Sequence, residues 1–240
     1  MSSLTPRLQH KPLTAQSPIG QTHCAMPLPP SILGFYSLSG HESRRRLWHM
    51  APGLLPFPLQ WVAHKDPVSP FLWWIIISIF VVLTTQIFIR FRRISRNPDE
   101  LGNAAVAGYA ASVMLTMVLF PDRLEVGLAV LSILAFGDGS ASLCGQMFRG
   151  PTLPWNRGKS WSGFLAFLLI GGLMTAWIYW GECQNPEAVD PPLTFLKSLL
   201  LTAPAVVACA FIESIPSRIN DNIRVGVTAA VGLILLSYLR

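Results

Sequence analysis

The residue with most to say about chemistry is Asp138, in the run AFGDGSASLCG. It stands fourteen residues into an otherwise apolar stretch, 124–145. At about 1.5 Å of rise per residue, a helix there has nearly crossed a membrane when it reaches the carboxylate. An ionisable group at that depth is costly and marks a functional site by default; the plainer alternative is an interfacial acid that reaches back to water. Gly137 and Gly139 flank it and allow a bend or a close approach. The next loop, QMFRGPTLPWNRGKS, carries Arg149, Arg157 and Lys159 and leads into a helix start at Ser160 or Trp161. Cations, glycines and a helix N-terminus suit a phosphate. By itself the loop equally fits ordinary loop chemistry at a cytoplasmic face.

A second acidic cluster follows in FIESIPSRINDNIR, with Glu213 at the end of one apolar segment and Asp221 and Asn222 before the next. Carboxylates and an amide carbonyl are hard oxygen donors suited to Mg²⁺, which commonly bridges protein to phosphate. A capped polar turn is the commoner use of the same residues. Upstream, ESRRRLWH places Arg45, Arg46 and His49 at the mouth of a weak apolar segment.

The elements that must position these groups follow from composition. Hydrophobic residues make up 51% of the chain and charged residues 12%, with a mean hydropathy of +0.45. A soluble domain carries about a quarter charged residues. The deficit excludes a soluble globule, a disordered chain and a disulfide-stapled module. Apolar segments at 47–62, 71–89, 104–120, 124–145, 161–180, 193–212 and 225–239 predict an all-α, polytopic transmembrane bundle of about seven spans. The first is short and interrupted by proline.

The net charge is +6, and placement decides its meaning. Alternating the sides puts Arg44, Arg45, Arg46, Arg90, Arg92, Arg93, Arg96, Arg149, Arg157, Lys159, Arg218 and Arg224 on one face. Lys65 and Arg123 fall on the other, beside Glu182, Glu187 and Asp190. The Arg-rich face is then cytoplasmic, the N-terminus inside and the C-terminus outside. No zinc spacing and no basic groove with interleaved aromatics is present, so nucleic acid is not an expected partner. Cys24, Cys144, Cys183 and Cys209 form no paired motif and predict neither metal site nor disulfide. Residues 1–41 read as a disordered tail before a transmembrane domain at 42–240. Their acid-poor, hydroxyl-rich composition also resembles a transit peptide faintly, and an early start codon is a further reading. A bacterial plasma membrane is the expected location, with an organelle membrane as the alternative.

Four stretches in order resemble one family. ESRRRLWH at 42–49, GDGSASLCG at 137–145, KSWSGF at 159–164, and Glu213 followed by Asp221-Asn222 match the E-x-x-R-K-x-x-H, G-D-x-x-A-x-x-x-G, K-S-x-x-G-S and E…D-N pattern. That pattern is typical of the CTP-dependent lipid-alcohol kinases: dolichol kinase, phytol kinase and CTP-dependent diacylglycerol kinase. The resemblance implies that Asp138 and Asp221, with Asn222 and Glu213, hold Mg²⁺–CTP. It implies that Lys159 and Ser160 meet phosphate, to which the loop reading adds Arg157 and Arg149, and that Arg45, Arg46 and His49 form an entry motif. Asp138, Asp221 and Lys159 would be the catalytic set, acting on a lipid alcohol drawn from the bilayer. The general base, Asp138 or Asp221, stays open. Arg46 stands for the usual Lys, Phe164 for a Ser, and Gly226 where a Pro commonly follows D-N. Rival readings are a phosphatidate cytidylyltransferase, whose usual late H-G-G-x-x-D-R-type ending has no counterpart here, and a small transporter or scaffold. Oligomeric state is not encoded legibly.

Overall fold

The computed structural model describes residues 38–65, 67–94, 102–148, 150–186, 188 and 191–239. These lie within one compact unit. Most of the expected tail, the loop 95–101 and Arg149 lie outside the described residues.

The chain is a helical bundle. Helix α1 (Gly40–Met50) leads through a 3₁₀ turn, Ala51–Leu54, into the short α2 (Pro56–Leu59). Then come α3 (Pro70–Ile94) and α4 (Gly102–Leu119). Helix α5 (Leu124–Ser132) continues through a π-helical segment, Ile133–Asp138, into α6 (Gly139–Phe148). A hairpin of β1 (Thr152–Leu153) and β2 (Asn156–Ser160) follows. Helix α7 (Trp161–Ala166) runs through a second π segment, Phe167–Gly171, into α8 (Gly172–Glu182). Helices α9 (Phe195–Ser214) and α10 (Asp221–Ser237) complete it.

Among the described residues, three helices are long and apolar enough to cross a membrane: Leu124–Phe148, Trp161–Glu182 and Phe195–Ser214. Pro70–Gln86 and Ala107–Leu119 are shorter apolar stretches. The expected first span at 47–62 is not one helix. Pro52, Pro56 and Pro58 lack the amide hydrogens that a continuous ladder needs. The broken chain still connects both ends of the bundle. His49 meets the Leu134 carbonyl near one end, and His64 meets Glu182 at the C-terminus of α8.

Asp138 does not break its helix, as the flanking glycines suggest; the ladder widens into a π turn and carries on to Phe148. The glycines serve close approach instead. A Cβ on Gly137 would lie 2.9 Å from the Phe167 ring, and one on Gly139 would strike Met50. The two π segments face each other, with a Cβ on Gly171 only 2.7 Å from the Gly137 Cα. In lipid, water does not drive helices together, so close backbone packing and interhelical hydrogen bonds must. The Thr175 hydroxyl donates to Ser132 Oγ at 3.3 Å along the same seam. Gly171→Val therefore has no room to relax away from backbone. It should lower stability by about 1–3 kcal/mol, and thermal unfolding in detergent checks this.

The sheet departs from an all-α expectation. It is small, and it carries Lys159. Trp155 Nε1 donates to Ser214 Oγ at 3.0 Å and Asn156 Nδ2 to the Ser214 carbonyl at 2.9 Å, so the hairpin is pinned to the end of α9.

Candidate functional site

A cavity of about 720 Å³ opens at the end of the bundle where α6, the hairpin, α9 and α10 meet. Ten of the eleven expected site residues line it: Arg45, Arg46, His49, Asp138, Arg157, Lys159, Ser160, Glu213, Asp221 and Asn222. Arg149 is the one outside the described residues.

The motif spacings have a packing cause. A Cβ on Gly163 would sit 2.7 Å from the Ala141 carbonyl oxygen, and one on Gly145 would sit 3.1 Å from Ser160 Oγ. The small residues of GDGSASLCG and KSWSGF thus let α6 and α7 cross in near-contact. That crossing brings Asp138 and Lys159 to one cavity although 21 positions separate them. Ser160 is the N-cap of α7, its hydroxyl accepting from the Gly163 amide at 3.3 Å. It also lies 2.9 Å from Ser162 Oγ. The expected phosphate contact from Ser160 is therefore shared with a capping duty. Gly226 has a cause too: a Cβ there would strike Ser112 of α4.

Lys159 Nζ donates to Glu213 Oε1 and reaches Asp221 Oδ2 at 3.5 Å. Glu213 is only 4% exposed, so the ammonium is the counter-charge to a buried carboxylate. Burial works against the Lys159 charge, but Glu213, with help from Asp138 and Asp221, overrides it and holds the ammonium above its ordinary value. Arg224 Nη1 donates to Asp221 Oδ1 at 3.2 Å and to the Ile215 carbonyl at 3.0 Å, fixing the turn before α10. Asn220 caps that helix by accepting from the Asn222 amide at 2.9 Å.

At the inner end, His49 Nε2 lies 3.1 Å from Asp138 Oδ2 and 3.0 Å from the Leu134 carbonyl oxygen. Both are acceptors, so Nε2 carries the proton and donates. The Leu134 carbonyl belongs to the π segment. The Tyr109 ring packs on the imidazole edge-on, with centroids 5.2 Å apart.

Gln146 is a neighbour of the site that the sequence reading passed over, and Glu42, the first residue of ESRRRLWH, was given no role of its own there. Glu42 takes two hydrogen bonds from Arg45 (3.0 and 3.1 Å), one from Arg46 (3.0 Å) and one from Gln146 (3.2 Å). It holds both arginines of the entry motif and ties α1 to α6. The signal was visible: a Glu three and four residues before two Args on one helix. Burial opposes the Glu42 charge, yet the Arg45 and Gln146 hydrogen bonds and the two guanidinium charges hold its pKa down at about 2. A depressed carboxylate contributes stability above its unfolded pKa near 4.5. That contribution is lost as pH falls toward 2. Glu42→Gln should abolish this acid-limb contribution and loosen Arg45 and Arg46. Comparing unfolding of parent and variant from pH 7 to pH 3 tests it, with the stability gap narrowing at the acid end.

Among the described residues, no three His, Cys, Asp or Glu side chains group to hold a metal ion. The expected set Asp138, Glu213 and Asp221 is not a preassembled cage, because His49, Lys159 and Arg224 already meet those carboxylates. Carboxylates so paired leave room for one or two protein oxygens on an ion that otherwise keeps its waters.

No family model matches the chain, and no solved structure matches it. Curated proteins do. Over 143 residues, 58% of this chain and 46% of the other, it is 27% identical to "Probable phytol kinase, chloroplastic" of Zea mays. It is 26% identical to "Farnesol kinase, chloroplastic" of Arabidopsis thaliana over 53% of this chain and 41% of that protein. It is 24% identical to "Phytol kinase 1, chloroplastic" of Arabidopsis thaliana over 55% and 41%. The chain matches less than half the length of these relatives. The four motifs stand in order, their described residues gather at one cavity, and the chain is similar in sequence to proteins named phytol kinase and farnesol kinase over a little more than half its length.

Proposed function

We propose that the chain transfers the γ-phosphoryl group of CTP to an isoprenoid-type lipid alcohol, with Mg²⁺ as cofactor. The observation that carries this reading is the single cavity that joins a cationic rim to a carboxylate–imidazole pair. Lys159, Arg157, Arg45 and Arg46 supply charge for phosphate oxygens. Asp138, held by His49, stands at the inner end to meet the alcohol's hydroxyl and its proton. Asp221, Glu213 and Asn222 are the oxygen donors for Mg²⁺, which when bound would neutralise charge on the transferring phosphoryl. Positioning and electrostatics carry such a transfer, since little covalent work falls to the protein. In the balanced step, the alcohol oxygen bonds to the γ-phosphorus, the β–γ bridge bond breaks, and CDP leaves. The names of the relatives favour phytol- or farnesol-like acceptors, and "chloroplastic" favours an organelle membrane over the bacterial plasma membrane first expected.

The topology belongs to the same proposal. Six helices and the Pro-broken segment after α1 make seven crossings, with the cavity facing the nucleotide-bearing compartment. The decisive assay is purified protein in lipid with γ-labelled CTP, ATP, GTP or UTP and a panel of alcohols. Label in the lipid fraction, greatest with CTP, is the expected result. Label released only as pyrophosphate would instead support the cytidylyltransferase reading. Absence of any nucleotide effect on turnover or thermal stability would favour a transporter or scaffold.

A further inference from the structure

Two clusters of aromatic rings mark the bundle at two levels. Trp155, Trp161, Phe164 and Phe211 pack together at the cavity end, with centroids 5.2–6.4 Å apart. Trp177, Trp180 and Phe195 pack together at the other end, 5.3–6.1 Å apart. Trp155, Trp161, Phe211 and Trp177 are partly exposed, at 38–46%. Trp161 and Trp180 begin and nearly end one continuous helix, 19 residues apart. At about 1.5 Å per residue that is roughly 28 Å, close to the ~30 Å of a bilayer's hydrocarbon core. Between the belts the exposed side chains of this helix include Leu165, Leu169, Ile170 and Leu173. Tryptophan collects at the two water–lipid boundaries, so the belts locate both planes on the chain.

The inner end of the cavity can be placed against that ruler. Gly145 packs on Ser160 and Gly163, level with the upper belt. Gly137 packs on Phe167 and Gly171, and Ser140 Oγ donates to the Ala166 carbonyl. Asp138 therefore sits level with residues 166–171, five to ten residues below Trp161, which is roughly 7–15 Å at helical rise. His49, at 3.1 Å from Asp138, lies at the same depth. Lys159 and Arg157 precede Trp161 in sequence and sit at the rim.

We infer that phosphoryl transfer takes place beneath the headgroup plane, about 10 Å into the hydrocarbon layer, at the His49–Asp138 end of the cavity. The nucleotide reaches down from the rim, and the acceptor must bring its hydroxyl to that depth. An alcohol that ends a hydrocarbon chain can sink so far without burying another polar group. A diacylglycerol holds its hydroxyl beside two ester groups that prefer the interface, and sinking it would desolvate them. The site thus selects acceptors by how deep the hydroxyl can go. This inference rests on the kinase reading for its substrate arm and not for its depth arm.

Both arms use the full chain in phosphatidylcholine vesicles. For depth, a bimane probe is placed at Leu169→Cys, which is exposed on the helix level with Asp138, and at Ser217→Cys, exposed in the turn between α9 and α10, in a background lacking the native cysteines. Lipids brominated on the acyl chain should quench the probe at 169 at least fivefold more than the one at 217, and aqueous iodide should do the reverse. Iodide quenching at 169 equal to that at 217 would overturn the depth. For selection, farnesol or phytol should exceed diacylglycerol at least tenfold in kcat/KM at equal mole fraction. Comparable use of diacylglycerol would overturn the selection. A correct depth with no alcohol phosphorylated would instead sink the kinase reading and leave the placement standing.

Discussion

Asp138→Asn should leave a folded, inserted protein that phosphorylates its alcohol at about one-hundredth of the parent rate or less. Shape is kept because the asparagine oxygen still accepts from His49 Nε2, now 3.1 Å from the carboxylate. The π turn keeps its second tie through His49 and the Leu134 carbonyl. What disappears is the negative charge that the proposed transfer uses to take the hydroxyl's proton. The loss should fall on kcat rather than on KM for nucleotide, since Lys159, Arg157 and the α10 turn are untouched. His49→Gln gives the companion measurement. It retains a donor to the Leu134 carbonyl but not the imidazole's placement of Asp138, so its loss should be smaller. Turnover, KM for CTP and thermal unfolding of both variants decide the matter. Parental kcat in folded Asp138→Asn would mean that the inner end of the cavity is not where transfer occurs.

The contents of the site were legible in the sequence to a degree that its construction was not. Asp138 and the D-N pair drew notice because charge is costly near a membrane, and topology put them with Lys159 on one face. The cavity does hold them together. The helices were legible where apolar runs reached about twenty residues, as in α9, which is 20 residues long. The segment at 47–62 was not, because its prolines break the helix while leaving the chain able to run between both ends of the bundle. Hydropathy also cannot show a π turn: Ile133–Asp138 has the composition of an ordinary helix, and the extra residue per turn is set by packing against Phe167 and Gly171. The hairpin escaped for the opposite reason. Asn156–Ser160 is polar, glycine-containing and short; it is a strand through its pairing with Thr152–Leu153, and Trp155 and Asn156 anchor that hairpin on Ser214.

Lys159 shows how a pairing invisible in sequence changes an expected result. From the motif alone, Lys159→Ala removes a phosphate contact and spares the fold. The structure makes the same ammonium the counter-charge of Glu213, whose side chain is 5% exposed. Removing it strands a buried carboxylate, and breaking such pairs from one side costs about 3–5 kcal/mol. Lys159→Met should therefore lose both stability and activity, the latter by about a hundredfold or more. The double variant Lys159→Met/Glu213→Gln separates the two effects. With no charge left to strand, most of the lost stability should return, giving a favourable coupling of a few kcal/mol between the sites. Activity should stay as low as in the single variant or fall further, because the positive charge at the phosphates is still missing and Glu213, a proposed Mg²⁺ donor, is changed as well; the Glu213→Gln single variant measures that second share. Denaturation midpoints in detergent and turnover with CTP for the parent, both single variants and the double variant complete the cycle. Recovery of activity along with stability would show that Lys159 serves only to hold α9 against the hairpin, and the phosphate role would pass to Arg157 and the arginines of α1.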